Sequence, residues 1–204
     1  MFGSKQSAQN LFTNLTSKLV DQGLIICTIP DSNVIVKRFR NQGKRLNDGD
    51  FVVGNKYYSM KINDLNFPPD KIYGLKYLFY LEDAVGSKIQ LSDEDPTITY
   101  VPEYLIEFQN FVRVAKEFNL EVVEEKNFLD FYKDNRTNFK HLFPILKLKY
   151  GLHEHMDPQL WEISHLYKVV VLRKKCGVSS EKIQRRFNDL QQGYYEVEAE
   201  EKIK

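Results

Sequence analysis

Cysteine is nearly absent from this 204-residue sequence, with two residues in all. Cys27 lies inside an apolar run and Cys176 beside Lys174 and Lys175, so neither a CxxC spacing nor a disulfide framework can be built. Histidine is almost as scarce: of four, only His153 and His155 are close, and a lone HxH falls short of the three or four ligands a zinc site needs. No metal site is expected. Excess charge is missing too, because 29 Lys+Arg stand against 28 Asp+Glu for a net +1, which removes the basic footprint of a general nucleic-acid coat protein. No run approaches 18 apolar residues and no charged-then-apolar leader opens the sequence. Neither a membrane span nor a secretory signal is expected, and the protein reads as intracellular. The phosphate-cradling patterns GxGxxG and GxxxxGK[ST] do not occur, nor does a serine or cysteine in a nucleophile motif. What the sequence does have is aromatics, 14 Phe and 12 Tyr, enough for a core and for faces on which a base could stack.

The apolar pattern alternates helix and strand, the rhythm of an α/β layer. Ala8, Leu11, Phe12, Leu15 and Leu19 fall at intervals of three and four and predict a helix over 7–22, ended by Gly23. Leu24 to Ile29 is apolar almost without alternation, which suits a strand covered on both faces, as in a parallel sheet, and Pro30 stops it. Asp31 or Ser32 can cap a helix from Val34 to Phe39. Phe51 to Ile62 and Gly74 to Leu81, separated by Pro68-Pro69, read as an antiparallel pair or meander. Residues 86–97 read as a polar, mobile loop. Pro102 stands where the first residue of a helix is expected, with Leu105, Phe108, Val112 and Ala115 marking its apolar face down to Phe118. Leu120 to Val123 is a short strand, Asn127 caps a short helix through Tyr132, Asp157-Pro158 opens another that carries Trp161 and Glu162, and Tyr167 to Arg173 is a buried strand. A further helix is expected over 180–191, followed by a disordered tail.

One charged stretch stands out. Lys37, Arg38, Arg40, Lys44 and Arg45 put five positive charges and Phe39 within nine residues, the composition of a phosphate-contacting patch and equally that of a solvated helix end. Composition and periodicity alone stop at a cytosolic or nuclear α/β domain.

Six strings carry a resemblance: Gly23-Leu-Ile-Ile-Cys-Thr-Ile-Pro-Asp-Ser32, Gly54-Asn-Lys-Tyr-Tyr58, Tyr77-Leu-Phe-Tyr-Leu81, Val101-Pro-Glu-Tyr-Leu105, Phe128-Leu-Asp-Phe-Tyr132, and Trp161-Glu162 ahead of Leu166-Tyr167. In this order they resemble the mRNA cap (guanine-N7) methyltransferase family across most of residues 2–173. The resemblance implies the class I S-adenosylmethionine-dependent methyltransferase (Rossmann-like) α/β fold, a mostly parallel sheet with helices on both faces, truncated here to its C-terminal strands and helices. Met1-Phe2 resembles the end of the family's histidine-tyrosine motif, so residues 1–175 are expected to be the C-terminal part of the domain and 176–204 a polar extension, part helical and part disordered. The S-adenosylmethionine-binding half is expected to lie outside the chain, leaving it inactive alone and unable to bind that cofactor.

The same resemblance implies three site residues. Glu103 matches the family's cap-recognising glutamate, and an ionised carboxylate is the acceptor pair for guanine's adjacent N–H and exocyclic amine. Placed near a helix N-terminus, it would be favoured in its charged form. Tyr167 matches the family's cap-contacting tyrosine and Pro30 a proline packed on the base; read without the family, they are a core tyrosine and a strand terminator, and Glu103 an ordinary first-turn glutamate. No general base is required, because N7 of guanine already presents a lone pair. Expected partners are the capped mRNA 5' end and, for the whole enzyme, other capping enzymes or an activating subunit, with no membrane and a nuclear location. Two other classes stay open: a non-catalytic cap-binding or protein-interaction module, and a small-molecule methyltransferase.

Overall fold

The computed structural model describes residues 2–68, 71–89, 97–145 and 157–176. Helix α1 (Lys5–Thr16) leads into β1 (Leu24–Pro30) and α2 (Ser32–Gln42). Five extended segments follow: β2 (Lys44–Arg45), β3 (Phe51–Gly54), β4 (Tyr58–Ile62), β5 (Lys76–Leu81) and β6 (Ser87–Ile89). Then come β7 (Thr97–Thr99), β8 (Val101–Tyr104), α3 (Phe108–Glu117), β9 (Leu120–Asn127), α4 (Phe128–Asn135), α5 (Pro158–Ser164) and β10 (Tyr167–Lys174).

Two sheets carry the architecture. The first has the order β1-β10-β9, with β10 antiparallel to both neighbours. The parallel sheet expected for Leu24 to Ile29 is therefore not what forms: β1 and β9 point the same way, and β10 runs back between them. Nor is β1 covered on both faces. Ile25, Cys27 and Ile29 face a core with Phe12, Phe111, Phe118, Val170 and Leu172, whereas Leu24 and Ile26 on the other face are 53% and 73% exposed. Strand geometry sends alternate side chains to opposite faces, and a run apolar at every position cannot say which face is covered.

Helices α1 and α3 pack on the covered face. Ser4 caps α1 by accepting the Ser7 N–H at 3.1 Å. The helix stops at Thr16, six residues short of the expected end, where the Thr16 hydroxyl donates to the Phe12 carbonyl at 2.7 Å. Leu19 still reaches the core from the turn beyond, which is why the apolar spacing ran on. Gln22, at φ 62°, takes the left-handed position expected of Gly23.

The second sheet is antiparallel, β2-β3-β4-β5-β8, with α2 against it. Its core joins Ile35 and Phe39 of α2 to Val53, Tyr58, Met60, Tyr77, Phe79, Leu105 and Leu166. The expected meander is present. The helix expected from Pro102 is not: Val101–Tyr104 is the edge strand β8, where a proline's missing N–H goes unpaired at no cost to the ladder. Helix α3 starts six residues later, capped by Glu107, whose carboxylate accepts the N–H groups of Gln109 at 2.9 Å and Asn110 at 2.5 Å. The ends of the expected polar loop pair as a hairpin, β6 with β7; residues 90–96 lie outside the described residues, as does the helix expected over 180–191. Strand β10 bridges the two cores, with Tyr167 at its start packed on the second and Val170 and Leu172 within the first. The result is a mixed α/β architecture, as the resemblance implies, but every strand pair among the described residues is antiparallel and not the mostly parallel pairing expected.

Candidate guanine-binding site

Three elements bring the expected site residues together. Pro30 ends β1 and stands directly opposite Tyr167, the first residue of β10, in the strand register. Glu103 sits on β8 opposite Tyr77 of β5. Because residues facing each other across a ladder share a sheet face, Glu103 and Tyr77 both point toward the second core, which Tyr167 also joins.

The Tyr77 hydroxyl donates to Oε2 of Glu103 at 2.5 Å, a charge-assisted bond that fixes the carboxylate's orientation. Burial, and then the charge of Glu103, raise the Tyr77 phenol far above its ordinary value. Burial and the same carboxylate push the Tyr167 phenol up to about 12. Both rings are therefore neutral hydroxyls at physiological pH, able to donate, around a carboxylate that accepts. Phe128, the first residue of α4, adds a further aromatic wall, its ring 6.2 Å from that of Tyr167.

Glu103 is on a strand, so the helix N-terminus expected to favour its charge is not there; the Tyr77 hydroxyl is the group that contacts it instead. Neither Tyr77 nor Phe128 is among the site residues that the resemblance implies. The alternation along Lys76–Leu81 does put Tyr77 and Phe79 on one face, but nothing in the sequence couples Tyr77 to a residue 26 positions away.

The end of β1 is held by buried charge. Of the two capping candidates, Asp31 stands at the N-cap of α2, yet its side chain makes no capping bond. It is drawn instead to Lys168 at 3.5 Å and to the Asn127 amide at 3.1 Å, while Lys168 pairs with Glu125 at 2.6 Å and lies 4.7 Å over the Phe108 ring. Ser32 is also no cap: its hydroxyl accepts the Ile106 N–H at 2.8 Å and ties the start of α2 to the segment after β8.

The basic stretch divides. Arg38 is 9% exposed and donates to the Tyr58 hydroxyl at 2.6 Å and to Glu162, so it belongs to the interior and not to a phosphate patch. Lys37 and Arg40 line an open groove of about 710 Å³, but Glu107 and Glu125 line it as well. Trp161 meets Tyr132 edge-on at 5.2 Å. Among the described residues no three His, Cys, Asp or Glu gather as a metal cluster, and no helix is long and apolar enough to cross a membrane; His153 and His155 lie outside the described residues.

Comparison with known proteins follows the same line. The mRNA (guanine-N(7))-methyltransferase domain model matches residues 1–175. The mRNA cap guanine-N(7) methyltransferase 1 of Oryza sativa subsp. japonica is 31% identical over 200 residues, which is 94% of this chain and 48% of that protein. The mRNA cap guanine-N(7) methyltransferase of Schizosaccharomyces pombe is 35% identical over 140 residues, 67% of this chain and 34% of that protein. The chain thus spans about half, or less, of the length of these curated relatives. A solved S-adenosylmethionine-dependent methyltransferase from Clostridium acetobutylicum ATCC 824 matches over 82% of this chain and 50% of its own at 8% identity and a TM-score of 0.38. With the domain matched along 175 residues and two relatives above 30% identity, the chain belongs to the mRNA (guanine-N(7))-methyltransferase domain family.

Proposed function

We propose that this chain forms the guanine-reading part of an mRNA cap guanine-N7 methyltransferase, acting on the capped 5' end of mRNA. The observation that supports it best is the Glu103 carboxylate, held by the Tyr77 hydroxyl and facing the core that Tyr167 joins opposite Pro30. Guanine's Watson–Crick edge presents two adjacent donors, its ring N–H and its exocyclic amine, and a carboxylate is the matching acceptor pair. The ring of Tyr167 and the pyrrolidine of Pro30 offer the base an aromatic and an apolar contact.

Methyl transfer to N7 needs no proton removed beforehand, since the lone pair is already present. The work of the protein is then to hold the nucleophile in line, a gain from proximity and orientation. In the reaction of the family, S-adenosylmethionine supplies an electrophilic methyl on a cationic sulfur. The residues that converge in this chain, Glu103, Tyr77, Tyr167 and Pro30, are all occupied in reading guanine. No residue of this chain is assigned to the methyl donor, no step is routed through it, and the 204-residue chain alone is expected neither to bind it nor to turn over. RNA binding, a nuclear location and association with other capping enzymes or an activating subunit belong to the same proposal.

The test is binding selectivity by titration calorimetry, with dinucleotides that differ only in the capping base. GpppA should bind and ApppA should not, because adenine presents an acceptor where guanine presents its ring N–H. Equal binding of the two, or none of either, would overturn the assignment.

A further inference from the structure

Helix α5 has seven residues, none of them fully buried, and ends three residues before Tyr167. A helix this short has too few internal hydrogen bonds to hold its own place, so its position is set by what grips it. At its start Asp157 accepts the Gln159 N–H, the Tyr57 hydroxyl at 2.9 Å and the Lys56 ammonium at 2.7 Å. At its middle both oxygens of Glu162 are taken. Arg38 of α2 donates to Oε1, and Asn55, from the turn between β3 and β4, donates to Oε2 at 2.9 Å. Arg38 also reaches the Glu162 carbonyl at 3.3 Å, and Asn55 reaches the Gln159 carbonyl at 3.0 Å.

A largely buried ion pair is weak evidence for net stability, because desolvation offsets the attraction. Its forked geometry is what distinguishes it: an arginine and an amide on two other elements fix one glutamate by side chain and backbone together. From Glu162 the chain passes His165, whose carbonyl accepts from Asn127 at 3.0 Å, and Leu166, whose carbonyl accepts the Asp31 N–H at 2.7 Å, and then reaches Tyr167.

We propose that Glu162, gripped by Arg38 and Asn55, is a positioning residue that sets Tyr167 against the bound guanine while touching no ligand itself. The inference rests on the guanine-reading role of Tyr167 given above. It is tested by a double-mutant cycle on the affinity of the full chain for GpppA, using Glu162→Gln, Tyr167→Ala and the pair. Glu162→Gln should weaken binding about tenfold, and the double variant should bind no worse than Tyr167→Ala, since residues acting as one unit lose their effect only once. Trp161 is the sole tryptophan and adjoins Glu162, so its emission should shift in Glu162→Gln while far-UV circular dichroism does not. Asn55→Ala, which removes a half-exposed partner of the same carboxylate, serves if Glu162→Gln does not fold. Additive losses in the cycle, or unchanged affinity in Glu162→Gln, overturn the positioning role. Should Tyr167→Ala itself leave GpppA binding unchanged, it is the guanine-reading assignment that falls, and this inference with it.

Discussion

Replacing Glu103 by glutamine keeps the side chain's shape and exchanges one acceptor oxygen for an amide donor. In the native site Oε2 accepts the Tyr77 hydroxyl at 2.5 Å, and the lone pairs left on the two oxygens suffice for guanine's ring N–H and amine. Glutamine can satisfy one of these donors but must turn its NH₂ toward the other. The loss combines a charge-assisted hydrogen bond with an unpaired donor, about 3–5 kcal/mol. Glu103 is only half-buried, so competing water favours the low end, about 3 kcal/mol or roughly 150-fold in dissociation constant. Calorimetric titration with GpppA and IpppA gives a sharper readout than affinity alone, because the inosine cap lacks the exocyclic amine. The native chain should prefer GpppA by about tenfold, the worth of one hydrogen bond to a charged group. In Glu103→Gln that preference should collapse toward parity. An unchanged affinity together with an unchanged GpppA/IpppA ratio would refute the assignment of Glu103 to the base.

Three further outcomes are expected. The Tyr167 phenol should ionise at about 12 in a spectrophotometric titration, with stability lost as pH rises from the ordinary tyrosine value of 10 toward that point because the unfolded chain releases its proton first. Glu103→Gln should bring the Tyr167 value part of the way down, and no change would mean that the two groups do not face each other. Asp157, lowered from 3.8 to about 2 chiefly by its bond to Lys56, should stabilise α5 fully above pH 4 and progressively less as pH falls toward 2; urea midpoints of the native chain and Asp157→Asn should converge over that range. Ile26→Lys should leave the thermal midpoint in place and increase the monomeric fraction in light scattering, since Ile26 is 73% exposed on β1, an edge strand among the described residues. An unchanged monomeric fraction would count against that edge as a self-association surface.

Much of the element order was legible. Asn127 caps its helix as expected by accepting the Leu129 N–H at 3.1 Å, and the helix expected to open at Asp157-Pro158 does so, with Asp157 accepting the Gln159 N–H at 2.9 Å, because such bonds are local and need only a few consecutive residues. The failures share the opposite character. Pro102 satisfies the rule for a helix start and the rule for an edge strand equally well, and its pairing with Leu78 of β5 decided between them. Arg38 carries the same composition signal as its neighbours Lys37 and Arg40, yet Glu162, 124 positions on, draws it inside. Asp31 is a good capping residue whose carboxylate the buried Lys168 takes instead.

The sequence by itself determined the family, most of the helices and strands, and the candidates Glu103, Tyr167 and Pro30, since motif strings and short-range periodicity are written in consecutive residues; it misplaced the segment after Pro102, which is the strand β8. Tertiary structure alone decided that Glu103 rides a strand beside Tyr77, that Tyr167 opposes Pro30, and that Arg38 and Asn55 grip Glu162. Those pairings join residues dozens to more than a hundred positions apart, and hydrogen-bond geometry and burial act between neighbours in space, whatever their distance along the chain.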